Sequence, residues 1–370
     1  MSQAVPTQEQ ELHHLRQQID AIDKQIQILI NERATCAKRV AQVKQQYQGV
    51  DSAVYYRPER EAQILRQIME RNHGPLENKA MARVFRELMS ACLAHEQVMR
   101  IAFPRTAGSF TQTAIFKHFG HAVQSMPLDS ITEVFREIEV GSAHYGVVPI
   151  ENLSDNMINH TLDNLRNSDL VICGEVEISI HHNLLIKADT GGEVNRIYAH
   201  PQSLVQCQTW LDNQFPKAER ITVCSDAEAA HQVSEATSPA TAAISSEMAS
   251  TSYNLHPAYK NIEDQPNYTT RFLIIGHNSV PTSDKDKTSL LIWSCNKPGF
   301  LYKILAPFHQ HQINLTSIAS RPSNTGMQDH IFYIDFEGHY TQAKVKELLQ
   351  DLQQKAIELK VLGSYPQAVL

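Results

Sequence analysis

The sequence predicts a multi-domain chain in three parts: an all-α region, an α/β region and a compact α+β unit with a ferredoxin-like order of elements. Three observations predict this. Apolar residues at 3–4 spacing run through residues 8–100 almost without a break. From Arg100 to about Gly276, short β-branched runs alternate with helical stretches. Beyond residue 287 the pattern becomes βαββαβ. At 370 residues the chain exceeds what one hydrophobic core ordinarily serves. The expected divisions are residues 1–98, 99–277 and 287–368.

In the first part Leu12, Leu15, Ile19, Ile22, Ile26 and Leu29 keep the helical period, which continues through Cys36 and Val40. No Gly or Pro intervenes before Gly49, so one helix is expected over residues 8–47, on the order of 60 Å long. A helix of that length outruns the core of one protomer, and an intertwined homodimer or higher homo-oligomer is the expected solution. A second helix follows Pro58 and stops at Gly74-Pro75; a third spans residues 77–99. In the second part, strands are expected at residues 146–150, 196–198, 221–223, 242–244 and 271–275. The polar run HNSVPTSDKDK, residues 277–287, reads as a linker. In the third part the strands TSLLIWSC, INLTSIAS, HIFYIDFE and LKVLGSY enclose helices at residues 299–310 and 341–355.

The formal net charge of -7, with no block of like charge, argues against a nucleic-acid partner. No apolar run approaches the roughly 18 residues of a membrane span, and MSQAVPTQEQ has no signal-peptide core. A cytoplasmic protein without a membrane partner is expected. The cysteines at 36, 92, 173, 207, 224 and 295 form no C-x-x-C pair. His13-His14 and His181-His182 are adjacent pairs that share no helix face and read as surface residues. No metal and no cofactor are expected.

Cations lie where a helical core should be. Arg33 and Lys44 are 11 residues apart on or beside the apolar stripe, which at roughly 100° per residue puts them within about 20° of each other. Arg16 precedes Arg33 by 17 residues, roughly 100° around the helix, so it reaches the same pocket only from a partner helix. Arg60, Glu61 and Glu96 add polar groups on the other two helices. The stretch LRQQIDAIDKQIQILINERATCAKRVAQVK, followed by YYRPEREAQIL, resembles the all-helical class of chorismate mutase. That resemblance implies that Arg33, and Arg16 from the partner subunit, clamp the substrate's two carboxylates. It assigns Arg60 and Glu61 to the ring side of the ligand and sets Lys44 and Glu96 about the ether oxygen. A pericyclic rearrangement needs no nucleophile; it needs a compact conformer and donors aimed at charge developing on the breaking C–O bond. Glu96 donates there only when protonated, so its pKa must be raised by burial.

IAFPRTAGSFTQTA, GVVPIEN, YAHPQSLVQC and NYTTRFLIIG together resemble prephenate dehydratase. The resemblance implies two subdomains, as in type II solute-binding proteins, with the site in the cleft between them. Thr270 is then the acid, or its hydrogen-bonding relay, for the departing hydroxyl, with Arg271 and Phe272 in support. Glu151, Asn152, His200 and Gln206 line the cleft. The sequence departs from the family at the ligand loops: Arg105 to Ala107 replace Gly-Pro-Glu, Leu153 to Asn156 replace Ser-Ser/Thr-Glu-Gly, and Ala199 replaces a serine. Backbone N–H donors near an anion are exchanged for side chains. Reduced dehydration is therefore expected, and its limit is an active mutase fused to a dehydratase-like binding module.

KPGFLYKILAPFHQHQINLTSIASRP followed by IFYIDFEGH resembles an ACT domain of the phenylalanine-binding kind. Gly299, Leu301, Asn314, Leu315, Ser320 and Arg321 are the effector positions it implies. Phe300 stands where that family has alanine and Ala319 where it has glutamate, so weak phenylalanine binding is expected. The order of the three parts resembles that of bifunctional chorismate mutase–prephenate dehydratases. The expected substrates are chorismate and prephenate.

Overall fold

The computed structural model describes residues 8–48, 56–105, 108–151, 155–188, 194–266, 268–295, 297–322, 329–356 and 358–370. The first helix, α1 (Gln8–Gln48), runs unbroken for 41 residues, as its freedom from Gly and Pro predicts. Residues 8–32 are exposed throughout, and Leu12, Leu15, Ile19, Ile22, Ile26 and Leu29 are 44% to 62% exposed. Further along, Arg33, Ala37, Ala41 and Lys44 form a covered face, three to four residues apart, where the chain packs back on itself. Helix α2 (Pro58–Arg71) opens on a proline, whose fixed φ suits the first helical position. It packs on α3 (Asn78–Ala94) through Leu65, Ala82 and Met89.

Helix α3 stops five residues before the expected end. The amides of His95 and Glu96 bond back to the carbonyls of Cys92 and Leu93 (3.3 and 2.9 Å), a tight i→i-3 pattern that closes the helix. Glu96 thus occupies a turn, and the chain enters its first strand at Arg100.

The α/β part holds two five-stranded sheets. Strands β1 (Arg100–Pro104), β2 (Gln124–Leu128), β3 (Tyr145–Pro149) and β4 (Val171–Ser179) build the first, with α4 (Gly108–Phe119), α5 (Ile131–Glu139) and α6 (Asp155–Asn167) between them. The chain then crosses to a second sheet of β5 (Asn183–Ile186), β6 (Arg196–Ala199), β7 (Glu219–Thr222), β8 (Thr241–Ser245) and β9 (His256–Tyr259). Four helices accompany it: α7 (Pro201–Gln206), α8 (Gln208–Gln214), α9 (Asp226–Glu235) and α10 (Glu247–Ser252). The chain returns as β10 (Thr269–Gly276), which inserts antiparallel between β3 and β4. The sheet orders are β2-β1-β3-β10-β4 and β7-β6-β8-β5-β9. Two crossings therefore join the halves, and they bond to each other: Ile180 N–H to the Tyr268 carbonyl and Ile262 N–H to the His182 carbonyl, both 2.8 Å. A twice-crossed pair of sheets creates a cleft at the crossing.

The third part is the expected βαββαβ unit: β11 (Asp286–Cys295), α11 (Phe300–Gln310), β12 (Leu315–Pro322), β13 (Asp329–Glu337), α12 (Ala343–Lys355) and β14 (Glu358–Pro366). Its antiparallel sheet has the order β12-β13-β11-β14. One face makes its own core with the two helices; the other contributes Leu291, Trp293, Tyr333 and Tyr365 to a core shared with Ile172, Leu273 and Ile275 of the first sheet. At Gly363 the β14 backbone lies so close to β4 that a Cβ would overlap the Ile172 carbonyl oxygen.

The expected linker at 277–287 is instead built into this junction. Val280, Ser283 and Asp286 are buried. The Asp286 carboxylate accepts from the Ser283 amide and hydroxyl, and Arg66 of α2 donates to the carbonyls of Ser283 and Lys285 (2.8 and 2.9 Å). The polar composition reads as solvated linker, but here those groups satisfy one another in a packed seam.

Candidate active sites

The helical region assembles its charged residues on the covered face of α1. Arg33 donates to the Cys92 thiol of α3 (3.2 Å). Glu61 is ion-paired with Arg86, and both are largely buried. Burial raises the Glu61 pKa, against the pull of Arg86 and Arg33. Farther along α1, burial lowers the pKa of Lys44, with Glu96 acting in the opposite sense. Glu96 answers in kind: burial raises its pKa and Lys44 works against the rise. Arg33 with Glu61, and Lys44 with Glu96, are thus brought within electrostatic reach by α1, α2 and the turn after α3 of one chain.

Two expected members are not. Arg16 lies about 25 Å up the helix from Arg33 at 1.5 Å per residue, on the exposed portion. Arg60 is exposed, and the further charges bearing on Lys44 come from Arg57 and Glu59. Arg57 and Glu59 pair with each other at 2.5 Å. Arg86 is the residue that sequence reasoning missed. It occupies the stripe Ala82, Arg86, Met89, Leu93 on α3, and an arginine at a core position of a helix is a legible signal.

Glu96 sets an expected pH response. On the expectation that its neutral form is the donor, burial raises the Glu96 pKa, so chorismate turnover should be full below that pKa and fall as pH rises through it. Lys44, with its pKa lowered, adds a second fall at higher pH. Glu96→Gln should abolish the first fall and keep the second; a wild-type pH–rate profile identical to that of the variant would contradict this.

In the α/β part, β10 alternates its side chains between two faces. Thr270 and Phe272 share one face, in register with Ile178 and Val176 of β4. Thr270 is fully buried and its hydroxyl has no hydrogen-bond partner among the described residues. Phe272 is packed in a core cluster with Phe110, Ile178 and Ile180. It is fully buried there and does not line the cavity at the crossing, so its part is to support the strand that carries Thr270. Gln206, at the end of α7, reaches the crossing, where its amide oxygen accepts from His182 Nε2 at 2.7 Å. A cavity of ≈ 420 Å³ opens there, lined by Ile180, His182, Gln206, Thr209, Glu263 and Tyr268 among others.

His182 also corrects the sequence reading. It is 2% exposed, not a surface residue, and lies edge-on to Phe110 at 5.9 Å. The signal was the strand period: Val176, Ile178 and Ile180 are buried, and His182 continues their alternation. His200 is occupied differently from expectation. Its ring accepts from the Gln202 amide as the N-cap of α7 (3.3 Å), and its own amide donates to Asp226 (3.1 Å). Asn152 and the departures at Thr106, Ala107, Leu153 and Ser154 lie outside the described residues. Arg105 is exposed and 3.5 Å from Asp129. Ala199 is fully buried at the end of β6.

Arg271 points the other way from Thr270, into a buried charge network. Its guanidinium donates to Glu175 (2.7 Å), Glu151 (2.9 Å), Asp335 (2.5 Å) and the Tyr365 hydroxyl (2.9 Å). Lys287 donates to Glu175 as well, at 2.7 Å. Two cations thus face three carboxylates across the junction of β4, β10, β11, β13 and β14. Arg271 is therefore a structural clamp rather than a cleft residue, and Glu151, at the end of β3, is tied to it. Removing one partner of a buried ion pair leaves uncompensated charge and typically costs about 3–5 kcal/mol. Arg271→Leu should destabilise the chain by about that much in urea unfolding; a loss below about 1 kcal/mol would show the network to be dispensable.

The C-terminal positions are only partly free. Gly299 caps α11 with φ 80°, Leu301 is 44% exposed, and Asn314 and Ser320 are exposed. The Asn314 carbonyl accepts from Glu337 (3.0 Å), and Leu315 packs against the unit's core. Arg321 is committed elsewhere: it ion-pairs with Asp163 and donates to the Asn159 carbonyl (3.1 Å), both on α6.

The helical region gathers cations and carboxyl groups along one covered face of α1, and the two-sheet region holds a cavity with polar lining at its crossing, so the chain carries two chemically distinct regions. Family models match in that order: chorismate mutase type II over residues 15–97 and prephenate dehydratase over residues 101–280. The chain is 49% identical over 362 residues to a bifunctional chorismate mutase/prephenate dehydratase of Pseudomonas aeruginosa, covering 97% of this chain and 99% of that one. The same identity and coverage hold for its counterpart in Stutzerimonas stutzeri. Among solved structures, a prephenate dehydratase from Arthrobacter aurescens in complex with L-Phe superposes with a TM-score of 0.66 at 28% identity, covering 73% of this chain and 90% of that one. The chain belongs to the bifunctional chorismate mutase/prephenate dehydratase family.

Proposed function

We propose that the chain rearranges chorismate to prephenate in its helical region and converts prephenate to phenylpyruvate in its α/β cleft, a two-step route toward phenylalanine. The near-complete, colinear match to two-activity relatives carries this reading. In the first step Lys44 and neutral Glu96 stabilise the ether oxygen, while Arg33 holds a carboxylate. In the second, the unpaired Thr270 hydroxyl and Gln206 meet the substrate. Both steps run on side chains alone, without a cofactor, in the cytoplasm; no described helix is long and apolar enough to cross a membrane. The functional divisions are residues 1–98, 99–277 and 287–368. The last is an ACT-type unit whose effector is phenylalanine, held weakly because Ala319 offers no charge partner and Arg321 is engaged with α6.

The first site is complete only in a dimer. Leu12, Leu15, Ile19, Ile22, Ile26 and Leu29 are among the large apolar side chains of α1 that stand in water, and burying each is worth about 1.5–3 kcal/mol. A second copy laid along α1 covers them and delivers its Arg16 to Arg33. Ile22→Glu should therefore yield monomers in sedimentation and lower mutase turnover together; monomers with full turnover would sink the shared site. The two activities themselves are read by ultraviolet absorbance. Purified prephenate given to the chain should yield phenylpyruvate, and chorismate consumption without phenylpyruvate would leave a mutase fused to a binding module.

A further inference from the structure

We propose that His182 is a further substrate-binding residue of the dehydratase cleft, and that its Nδ1 accepts a hydrogen bond from the ring hydroxyl that departs in the reaction. The inference rests on the dehydratase reading above and extends it to a residue and an atom.

The ring's protonation pattern follows from its neighbours. His182 Nε2 is 2.7 Å from the Gln206 amide oxygen, and an amide oxygen only accepts, so Nε2 carries a hydrogen. In the neutral ring Nδ1 is then a bare acceptor. That atom is buried and has no hydrogen-bond partner among the described residues. The residue lines the ≈ 420 Å³ cavity at the crossing between the two sheets. A polar atom in such a place is destabilising unless something polar meets it.

Substrate chemistry says what meets it. The prephenate dianion has two carboxylates and a ketone, all acceptors, and one hydroxyl. The hydroxyl is its sole hydrogen-bond donor. A carboxylate set against the Nδ1 lone pair would be repelled, so the acceptor is complementary to the hydroxyl alone. With its hydrogen given to His182, that oxygen keeps its lone pairs free to take a proton from another donor. Thr270 lies on the same β10 face as Phe272, which shares a core cluster with Phe110, the ring His182 abuts, and its hydroxyl is buried with no partner among the described residues. The Thr111 hydroxyl, next to Phe110, is likewise buried and without a partner among the described residues.

The backbone fixes the imidazole. The His182 amide donates to Glu263 (2.9 Å) and its carbonyl accepts from Ile262 (2.8 Å), so both crossings hold it in place. The product lacks the ring hydroxyl, so the His182 contact exists with substrate and disappears with phenylpyruvate.

Two variants separate the ring's two nitrogens. His182→Gln places an amide near the Nε2 position and removes the group at Nδ1; His182→Asn does the reverse. We expect His182→Gln to lower kcat/KM for prephenate by about 10- to 100-fold, the range for one hydrogen bond to a substrate group. Inhibition by phenylpyruvate should stay as in wild type, and His182→Asn should exceed His182→Gln by about tenfold. Equal loss of prephenate and phenylpyruvate binding, or Gln outperforming Asn, would overturn the assignment and leave His182 as a support for Gln206. A wild-type chain that forms no phenylpyruvate would instead defeat the dehydratase reading itself, and this inference with it.

Discussion

Replacing Lys44 with alanine should lower kcat for chorismate rearrangement by about 10²–10³-fold, with a much smaller rise in KM. The size follows from the loss of one positioned donor at developing negative charge, measured elsewhere at about that magnitude. The split follows from timing: the ether oxygen gains charge in the transition state, so the ammonium contributes little to ground-state binding. Lys44 is suited to this because burial lowers its pKa, leaving a partly desolvated cation on the covered face of α1. Prephenate turnover in the same variant should be unaffected, since the cleft lies on other elements. Steady-state kinetics with each substrate checks both halves, and a near-full kcat with raised KM would reassign Lys44 to substrate binding.

Thr270→Val should remove dehydration by about 10²-fold or more while leaving the fold intact. Valine matches threonine in shape, and the hydroxyl it deletes has no partner among the described residues, so no hydrogen bond among them is lost. Stability should even hold or rise slightly. A reaction that needs a proton at its departing oxygen, by contrast, loses an oriented donor. Thermal unfolding beside the phenylpyruvate rate separates the two. A variant both active and unaltered in stability would mean that Thr270 merely fills its place in the strand.

Much of this architecture is legible from periodicity. The uninterrupted α1, the alternation of β4 and β10 and the βαββαβ unit all announce themselves through spacing and breakers, because local patterning and tertiary burial agree there. Where they disagree, the sequence misleads. Residues 277–287 look solvated, yet their polar groups bond to Arg66 and to each other inside a seam. Arg271 sits beside Thr270 in sequence, but strand geometry turns adjacent side chains to opposite faces, so Arg271 enters the charge network while Thr270 faces the apolar side shared with Phe272. Arg321 reads as an effector contact and is held by a helix more than 150 residues away in the chain, a pairing that no local pattern encodes. Among the expected site residues, Lys44 and Glu96 lie within electrostatic reach of each other and Gln206 lines the cavity at the crossing. Arg86 and His182 were within reach of the same periodicity, as charged or polar members of buried stripes.

The central claim is that one chain carries two chemically separate sites in series. Feeding chorismate to the Thr270→Val chain and following both products by ultraviolet absorbance tests it most directly. The account predicts that chorismate disappears at the wild-type rate and prephenate accumulates in its place, with phenylpyruvate formation suppressed. Phenylpyruvate appearing at the wild-type rate, or chorismate left unconsumed, would contradict it.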